Sequence, residues 1–575
     1  MSDIIQEQMS FEFETRNPIK GYPELHWTGK RPYKSTVYYP AQLKESYGQP
    51  KDDWMNKIFW GDNLQVMSHL LKDYRGKIDL IYIDPPFDSK ADYKKKIKLK
   101  GQSAESDHSA FEEKQYGDIW TNDEYLQFMY ERLILCRELL SDTGSIYVHM
   151  DENRSHYIKI VLDEVFGNSN FKREIVWRIG WISGYKSAAK QWIRNHDTIL
   201  YYTKGNTCTF NKKYIPYPPG YTRRDGAEPE GKGYPIEDTW NCSELDSLNS
   251  IQIMSFSGEK VGYPTQKNEN LLARIIECSS NPGDIVFDCF MGSGTTQAVA
   301  MKLGRRFIGA DINLGAIQTT TKRLLKVASE LNSQIGNEDK YTGFEVYNVN
   351  NYDLFRNPVE ARDLILQAME VQPLPFESSN VYDGEKDGRM VKIMSVNRIA
   401  TKADLQGLLA NLPYKQFEKI KEENPSATVL KLTIVCMGHE PDLAGALREG
   451  LSNYKVDIEV VDILRDRADL QFKRDAEADI AIEDGKLVIK NFFPLNLMQK
   501  LSLDKETVEE WRQLVESVMI DFNYDGAVLQ PTVQDIPEKN GLVKGVYPIP
   551  EDAGTIRVKI TDVLSESLEV EVKNG

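Results

Sequence analysis

Cysteine is scarce: six in 575 residues, Cys136, Cys208, Cys242, Cys278, Cys289 and Cys436, with no Cys-x-x-Cys pair among them. That spacing excludes both a disulfide framework and a zinc knuckle. Long apolar runs are also missing, since no stretch approaches the roughly 18 unbroken apolar residues of a membrane span, and no membrane contact is expected. The start, Met1-Ser2-Asp3 followed by acidic and polar residues, lacks the basic end and apolar centre of a signal peptide, which predicts a cytoplasmic location. There is no Gly-Lys-Ser/Thr phosphate loop, so the chain is not expected to be an ATP-driven translocase. His149 and Asp151 end a strand without metal-ligand spacing, and no metal is proposed. Neither an internal repeat nor a low-complexity tract is present.

What the sequence does contain is the composition of a globular protein, 41% hydrophobic and 27% charged, at a length that predicts two to four domains. The formal net charge of -16 argues against a polyanionic partner until its distribution is seen. Residues 351–575 hold 40 acidic and 27 basic residues, so most of the excess is C-terminal. Residues 171–235 instead carry 12 Lys/Arg against 5 Asp/Glu, and Lys90 to Lys100 contains six lysines. A polyanion can be received there.

Residues 1–53 read as an irregular N-terminal arm rich in Pro, Tyr and Gly. From Trp54 the pattern alternates short β-branched runs with amphipathic helices, the mark of an α/β sheet. Strands are expected at 78–83, 144–149, 284–287 and 306–310. A helix opens near Asn122-Asp123 and carries Leu126, Met129, Leu133 and Leu140 on one face, with Gly144 as its stop. This catalytic region spans 54–170 and 263–348. It is interrupted at 171–262 by aromatic, glycine- and proline-rich sequence that reads as an inserted module. An acidic extension, 349–575, is expected to form one or two α+β domains, with a strand at 429–437, a helix at 442–451 and a hairpin turning at Asp484-Gly485.

Two motifs carry chemistry. Asp84-Pro85-Pro86-Phe87 ends the strand 78–83, where open α/β sheets bind ligands. An exocyclic amine of adenine or cytosine is a poor nucleophile because its lone pair is delocalised into the ring. A carboxylate and a carbonyl that accept its N–H bonds favour tetrahedral nitrogen. Asp84 and the Pro85 carbonyl can do this, the prolines fix the backbone, and Phe87 offers a face to a base flipped out of the helix. Alone, the block would read better as a turn. The second motif, Asp288-Cys289-Phe290-Met291-Gly292-Ser293-Gly294, is a strand running into a glycine loop that opens a helix at Thr295. Without a third spaced glycine it is not a dinucleotide site. Asp311 ends the next strand, placed to accept hydrogen bonds from a ribose diol. A nucleoside cofactor without phosphate fits, and S-adenosylmethionine is the common one.

With both motifs in this order, the chain resembles the β-class amino-methyltransferases of DNA over about residues 54 to 326. Trp60-Gly61-Asp62-Asn63 and Gly262-Tyr263-Pro264-Thr265-Gln266-Lys267 are further blocks of that family. The resemblance implies a Rossmann-like, S-adenosylmethionine-dependent sheet with circularly permuted motif order. It places Asp62 near the cofactor and gives Thr265, Gln266 and Lys267 its amino-acid end, beside Asp288, Phe290, Gly292, Gly294 and Asp311. Cys289 stands where many members have proline and reads as a buried strand residue. No Pro-Cys pair is present, so C5 methylation of cytosine, which needs a thiolate, is not expected. Members with Asp in the first motif position more often modify adenine N6 than cytosine N4.

Double-stranded DNA is therefore the expected partner. Lys94, Lys95 and Lys96 follow the first motif as candidate phosphate contacts, and a lysine run is as often a solvated loop. In the inserted module Lys186, Arg194, Arg223 and Arg224, with Trp177, Arg178, Trp181 and Trp192, are candidate reading residues, although some of the tryptophans belong to the core. His196 reads as structural. The C-terminal part looks similar to extensions of modification subunits from type III restriction systems, which implies a separate helicase-nuclease subunit as partner and a homodimer. Two other readings stand beside this one. The chain could be a DNA-binding specificity subunit with incidental methylation, or a methyltransferase-nuclease using carboxylates near Glu483, where a hairpin turn is the better explanation.

Overall fold

The protein is described from a computed structural model. It describes residues 9–573 except 15–20, 87–91, 99–109, 118–121, 179–189, 191, 219, 229, 242–265, 335, 338–339, 350–361, 363–364, 367–368, 370, 375–380, 395–399, 440–441, 464–475, 496, 499–507, 509 and 539–540.

Ten strands build the main sheet: β1 (Gln42–Tyr47), β2 (Asn56–Trp60), β3 (Ile78–Ile83), β4 (Leu140–Met150), β5 (Phe171–Arg178), β6 (His196–Thr203), β7 (Thr239–Trp240), β8 (Ile285–Asp288), β9 (Arg306–Asp311) and β10 (Phe344–Asn348). Their order is β7-β5-β6-β4-β3-β8-β9-β2-β10-β1. The six strands from β4 to β10 in that order run parallel, and the central three, β3, β8 and β9, are buried along nearly their whole length, as strands covered on both faces must be. Helices α1 (Asn63–Tyr74), α2 (Asn122–Leu139) and α3 (Ser155–Phe166) contribute Val66, Met67, Leu70, Met129, Leu133 and Ile158 to the core on one face. On the other, α4 (Glu269–Ser279), α5 (Thr295–Lys302) and α6 (Leu314–Asn332) bury Leu271, Ile275, Val299 and Leu324 against Leu80, Val286 and Phe307. The α/β expectation holds, with small shifts. Helix α2 ends at Leu139, because the chain turns directly into β4, which runs through Gly144 rather than stopping there.

One expectation is corrected. The N-terminal arm is not wholly irregular: β1 lies antiparallel to β10 at the sheet edge, where Tyr47 stacks on Phe344 at 4.9 Å. Within residues 171–262, the expected inserted module, the segment from His196 is a sheet strand, and it is not alone. Strands β5, β6 and β7 continue the sheet beyond β4, and their inward residues Ile175, Trp177, Ile199, Tyr201 and Trp240 join its core.

The acidic extension forms two units. In the first, Arg389–Ile393, Leu430–Cys436 and Val456–Asp462 pair in parallel, and the helices Lys402–Ala410, Tyr414–Glu423 and Leu443–Gly450 lie between them in sequence. It is therefore α/β rather than α+β, the arrangement that parallel strands require of their connections. In the second, two antiparallel sheets share a core of Leu487, Phe492, Val518, Tyr547, Val558 and Ile560. Glu483 pairs with Lys486 across a two-residue turn in which Asp484 and Gly485 have φ of 47° and 70°. Both lie in the left-handed region that Asp-Gly hairpins use, so the turn accounts for these carboxylates. This unit meets the edge strand β1: Ser46 donates to Leu529 O at 3.0 Å, Leu529 donates to Lys44 O at 2.9 Å, and Lys559 pairs with Glu45.

Candidate active site

Strands β3 and β8 are neighbours in the sheet, paired at Leu80/Val286 and Ile81/Phe287, although their sequences are far apart. Their carboxyl ends lie where connections leave to opposite faces, the crevice in which open sheets hold ligands. The first motif and the glycine loop are thereby brought together.

Asp84 leaves the end of β3. Its Oδ2 is bound by the Lys267 ammonium, each side chain being 17% exposed. Its Oδ1 is buried and has no hydrogen-bond partner among the described residues. A buried carboxylate oxygen without a donor costs free energy, and a ligand N–H arriving there would remove that cost. Pro85 is buried beside it. Phe87 and Thr265 lie outside the described residues, as does Lys186. Gln266 and Lys267 precede α4, capped by Asn268, whose Oδ1 accepts from Asn270 N at 2.8 Å.

Asp288 ends β8. It accepts from Phe290 N at 2.9 Å and from Thr296 Oγ1 at 2.6 Å, which folds the loop back over the start of α5. Burial, against these two hydrogen bonds and with Asp84 and Asp311 nearby, pushes its carboxyl up to about 7. Asp311 ends β9 and ties the same loop from the other side, accepting from Gly292 N and Asn313 N at 2.8 Å each. Burial again dominates and raises it to about 6. Each carboxylate oxygen can accept twice, so Asp311 keeps acceptor capacity for a diol. Gly294 has φ of 70°, and a Cβ there would stand 2.4 Å from Thr320 Cγ2. Glycine is therefore required at that position by conformation and by space. The Phe290 ring lies 6.1 Å from that of Phe128. Cys289 is buried as expected but stands one residue past the end of β8, in the bend that opens the loop, and burial holds its thiol well above the usual range, which does not suit a nucleophile.

Asp62 is occupied structurally: its Oδ1 caps α1 by accepting from Leu64 N at 3.0 Å, and its Oδ2 lies 3.1 Å from Arg132 Nη2. The Arg132 guanidinium sits 3.4 Å from the centre of the Phe128 ring, and its Nε donates to Asn63 Oδ1 at 2.5 Å. Asn63 in turn reaches Cys289 O at 3.2 Å, joining α1 to the glycine loop. Arg132 was missed in the sequence, although an arginine beside the apolar stripe of Met129 and Leu133 signals a buried partner.

The candidate DNA-contacting residues are dispersed. Lys94, Lys95 and Lys96 stand on a strand, Asp92–Lys98, paired antiparallel with Ala110–Gly117 and not on a loop, so their register is known; their side chains lie outside what is described. Arg194 contacts Glu152 and Asp197. Arg223 lies 3.8 Å from Asp225, and Arg224 is exposed in the same lobe. Trp192 is 98% exposed. Among the described residues no group of His, Cys, Asp and Glu could hold a metal ion, and no helix is long and apolar enough to cross a membrane.

Comparison with known proteins bears on the same region. A family described as DNA methylase, of the N6/N4 type, matches residues 78–322. The type II methyltransferase M.EcaI of Enterobacter cloacae is 30% identical over 365 residues, which cover 50% of this chain and 77% of that protein. The chain belongs to the DNA methylase family. M.HpaI of Haemophilus parainfluenzae, also type II, is 33% identical to this methylase over 43% of the chain and 68% of the relative. The StyLTI Mod subunit, from a type III restriction-modification enzyme of Salmonella typhimurium, is 24% identical over 47% of the chain and 53% of its own length. Among solved structures, the M1.HpyAVI–SAM complex is 21% identical, covering 47% of this chain and 98% of that one, with a TM-score of 0.29. The whole acidic extension, and strands β1, β2 and β10 of the sheet, lie outside the family match.

Proposed function

We propose that this methylase transfers a methyl group from S-adenosylmethionine to the N6 amine of adenine at a specific site in duplex DNA. We further propose that it serves as the modification and recognition subunit of a type III-like restriction system. The observation that carries the reading is the unpartnered, buried Oδ1 of Asp84, set at the crevice beside the glycine loop and Asp311. Its chemistry suits an amine donor. Asp84 Oδ1 and the Pro85 carbonyl would accept the two amine hydrogens, draw the nitrogen lone pair out of the ring system and hold it toward the crevice.

Asp311 would accept from the ribose hydroxyls, Asp288 and Phe290 would border the same ligand, and Gln266 with Lys267 would meet its amino-acid end. S-adenosylmethionine supplies the activated methyl when bound. The basic residues of 171–235 and the lysines after Asp84 would hold DNA, the first group reading bases and the second touching phosphate. The type III role rests on the similarity to a Mod subunit, and implies a helicase-nuclease partner and pairing of two copies.

Labelled S-adenosylmethionine incubated with duplex DNA tests the activity. Label in N6-methyladenine is expected. Label in N4-methylcytosine would overturn the base assignment, and label only in RNA or protein would overturn the whole reading. Sequencing genomic DNA for modified bases, with and without the gene expressed, reads base and site together.

A further inference from the structure

A second polar chain lies under the sheet's carboxyl edge, and the proposed reaction does not use it. Tyr82, on β3, bonds through its hydroxyl to His149 Nδ1 on β4 at 2.9 Å. His149 Nε2 lies 3.1 Å from Asp197 Oδ2 on β6. Asp197 then meets Arg194, which also contacts Glu152. Tyr82 is 2% exposed, His149 0% and Asp197 6%, so the first three groups are sealed from water. The hydrogen bonds are satisfied when Tyr82 donates to Nδ1 and the Nε2 hydrogen goes to Asp197. Three apolar residues could fill the same volume without the cost of burying polar groups.

The chain's two ends give it a use. Asp84 stands two residues after Tyr82, just past the end of β3, and its charge is among those that, after burial, hold the Tyr82 hydroxyl well above the usual range. Fixing the Tyr82 phenol fixes the last turn of backbone before Asp84 leaves the sheet. Asp197 and Arg194 belong to the segment that enters from the module expected to read DNA, and β6 runs antiparallel to β4, so its start lies at the carboxyl edge. There is also a route through charge. Burial would raise the Asp197 carboxyl, but the hydrogen bond from His149 and the charges of Lys267 and Arg194 bring it below the usual range. Lys267 is the residue that holds Asp84.

We infer that His149, with Tyr82 and Asp197, is a positioning residue for methyl transfer: the chain Arg194–Asp197–His149–Tyr82 sets the end of β3, and so the placement of Asp84, from the strand that the recognition segment feeds. This rests on the proposed methyl transfer. A misplacement of about 1 Å at a reacting group can cost on the order of 100-fold in rate.

The test uses the full chain and steady-state methylation of duplex DNA. His149→Gln and Tyr82→Phe are each expected to lower kcat by ~10-fold or more, with KM for DNA and affinity for S-adenosylmethionine within about twofold of wild type and little change in thermal midpoint. The double variant should be no slower than the slower single, because both break one chain. Tyr82→Phe loses one hydroxyl only and keeps the test decisive if His149→Gln folds poorly. An unchanged kcat for Tyr82→Phe overturns the inference, as does a fall in kcat matched by equal losses in cofactor affinity and thermal midpoint. The two readings fail differently. A wild-type chain without methyl transfer overturns both, whereas an active wild type with indifferent variants overturns the chain alone.

Discussion

Cofactor binding should release protons. Asp288 and Asp311 are raised by burial to about 7 and about 6. For Asp288, the interval from 3.8 to about 7 corresponds to on the order of 4 kcal/mol in favour of the protonated carboxyl. Between those values the native protein binds more protons than the unfolded chain. The stability these groups contribute is complete below pH 3.8 and is lost as pH rises through about 6 and 7. A ligand that donates hydrogen bonds to Asp311 and brings a cationic end toward Asp288 favours the ionised forms and must displace protons to bind at low pH. Affinity for S-adenosylmethionine should then rise with pH up to about 7, by at most about tenfold per pH unit for each proton displaced, and level off above it. Titration calorimetry in two buffers of different ionisation enthalpy measures the proton count directly. Release of between one and two protons is expected near pH 6, falling toward zero near pH 8. Asp288→Asn should remove most of the release. Proton uptake, or an affinity independent of pH over this range, would refute the assignment of these carboxyls to the cofactor site.

Five further outcomes are expected. Asp84→Ala should reduce the methylation rate by ~100-fold or more while sparing cofactor affinity; an equal loss of cofactor binding in equilibrium dialysis would mean a structural role. Gly294→Ala should lower stability by ~1–3 kcal/mol, read by denaturant unfolding, because the new Cβ meets Thr320 at 2.4 Å with φ at 70°. Arg132→Ala should destabilise by ~3 kcal/mol, since it leaves Asp62 buried without its ion-pair partner; a change below about 1 kcal/mol would show that the pair contributes little. Neutralising Lys94, Lys95 and Lys96 together should weaken binding to all DNA sequences alike and flatten its salt dependence. Exchange of residues 171–262 should change the preferred site and leave cofactor binding intact; an unchanged site would move recognition to the acidic extension.

The parallel core was legible because its strands are short apolar runs and its loops carry chemically distinctive residues. Asp84, Asp288, Gly294 and Asp311 could each be placed at a strand end or helix start from local pattern alone. The tie between Lys267 and Asp84 was not legible as a contact, because it spans 183 residues and depends on which strands become neighbours. The same limit hid His149: in the sequence it ends an apolar strand, and only pairing with β3 and β6 reveals the groups at its two nitrogens. The arm misled for another reason. Gln42–Tyr47 alternates weakly, as an edge strand covered on one side does, and its pattern was too short to stand out among prolines and tyrosines.

The adjacency of β3 and β8 also sets when the enzyme can exist during synthesis. Paired residues such as Ile81 and Phe287 are separated by about 200 residues, which at roughly 5–20 residues per second takes on the order of 10–40 s to translate. Through that interval the strand bearing Asp84 has β4 available on one side and no β8 on the other, so an apolar edge waits inside the growing chain. Residues 171–262 emerge within the same interval, after β4 and before β8. Their strands β5 and β6 can extend the half-sheet outward from β4, leaving the inner edge of β3 for its late partner. A chain broken between Phe87 and Asp311 would retain the Asp-Pro-Pro block with an incomplete crevice beside it, so termination within that span would yield no fragment able to modify DNA.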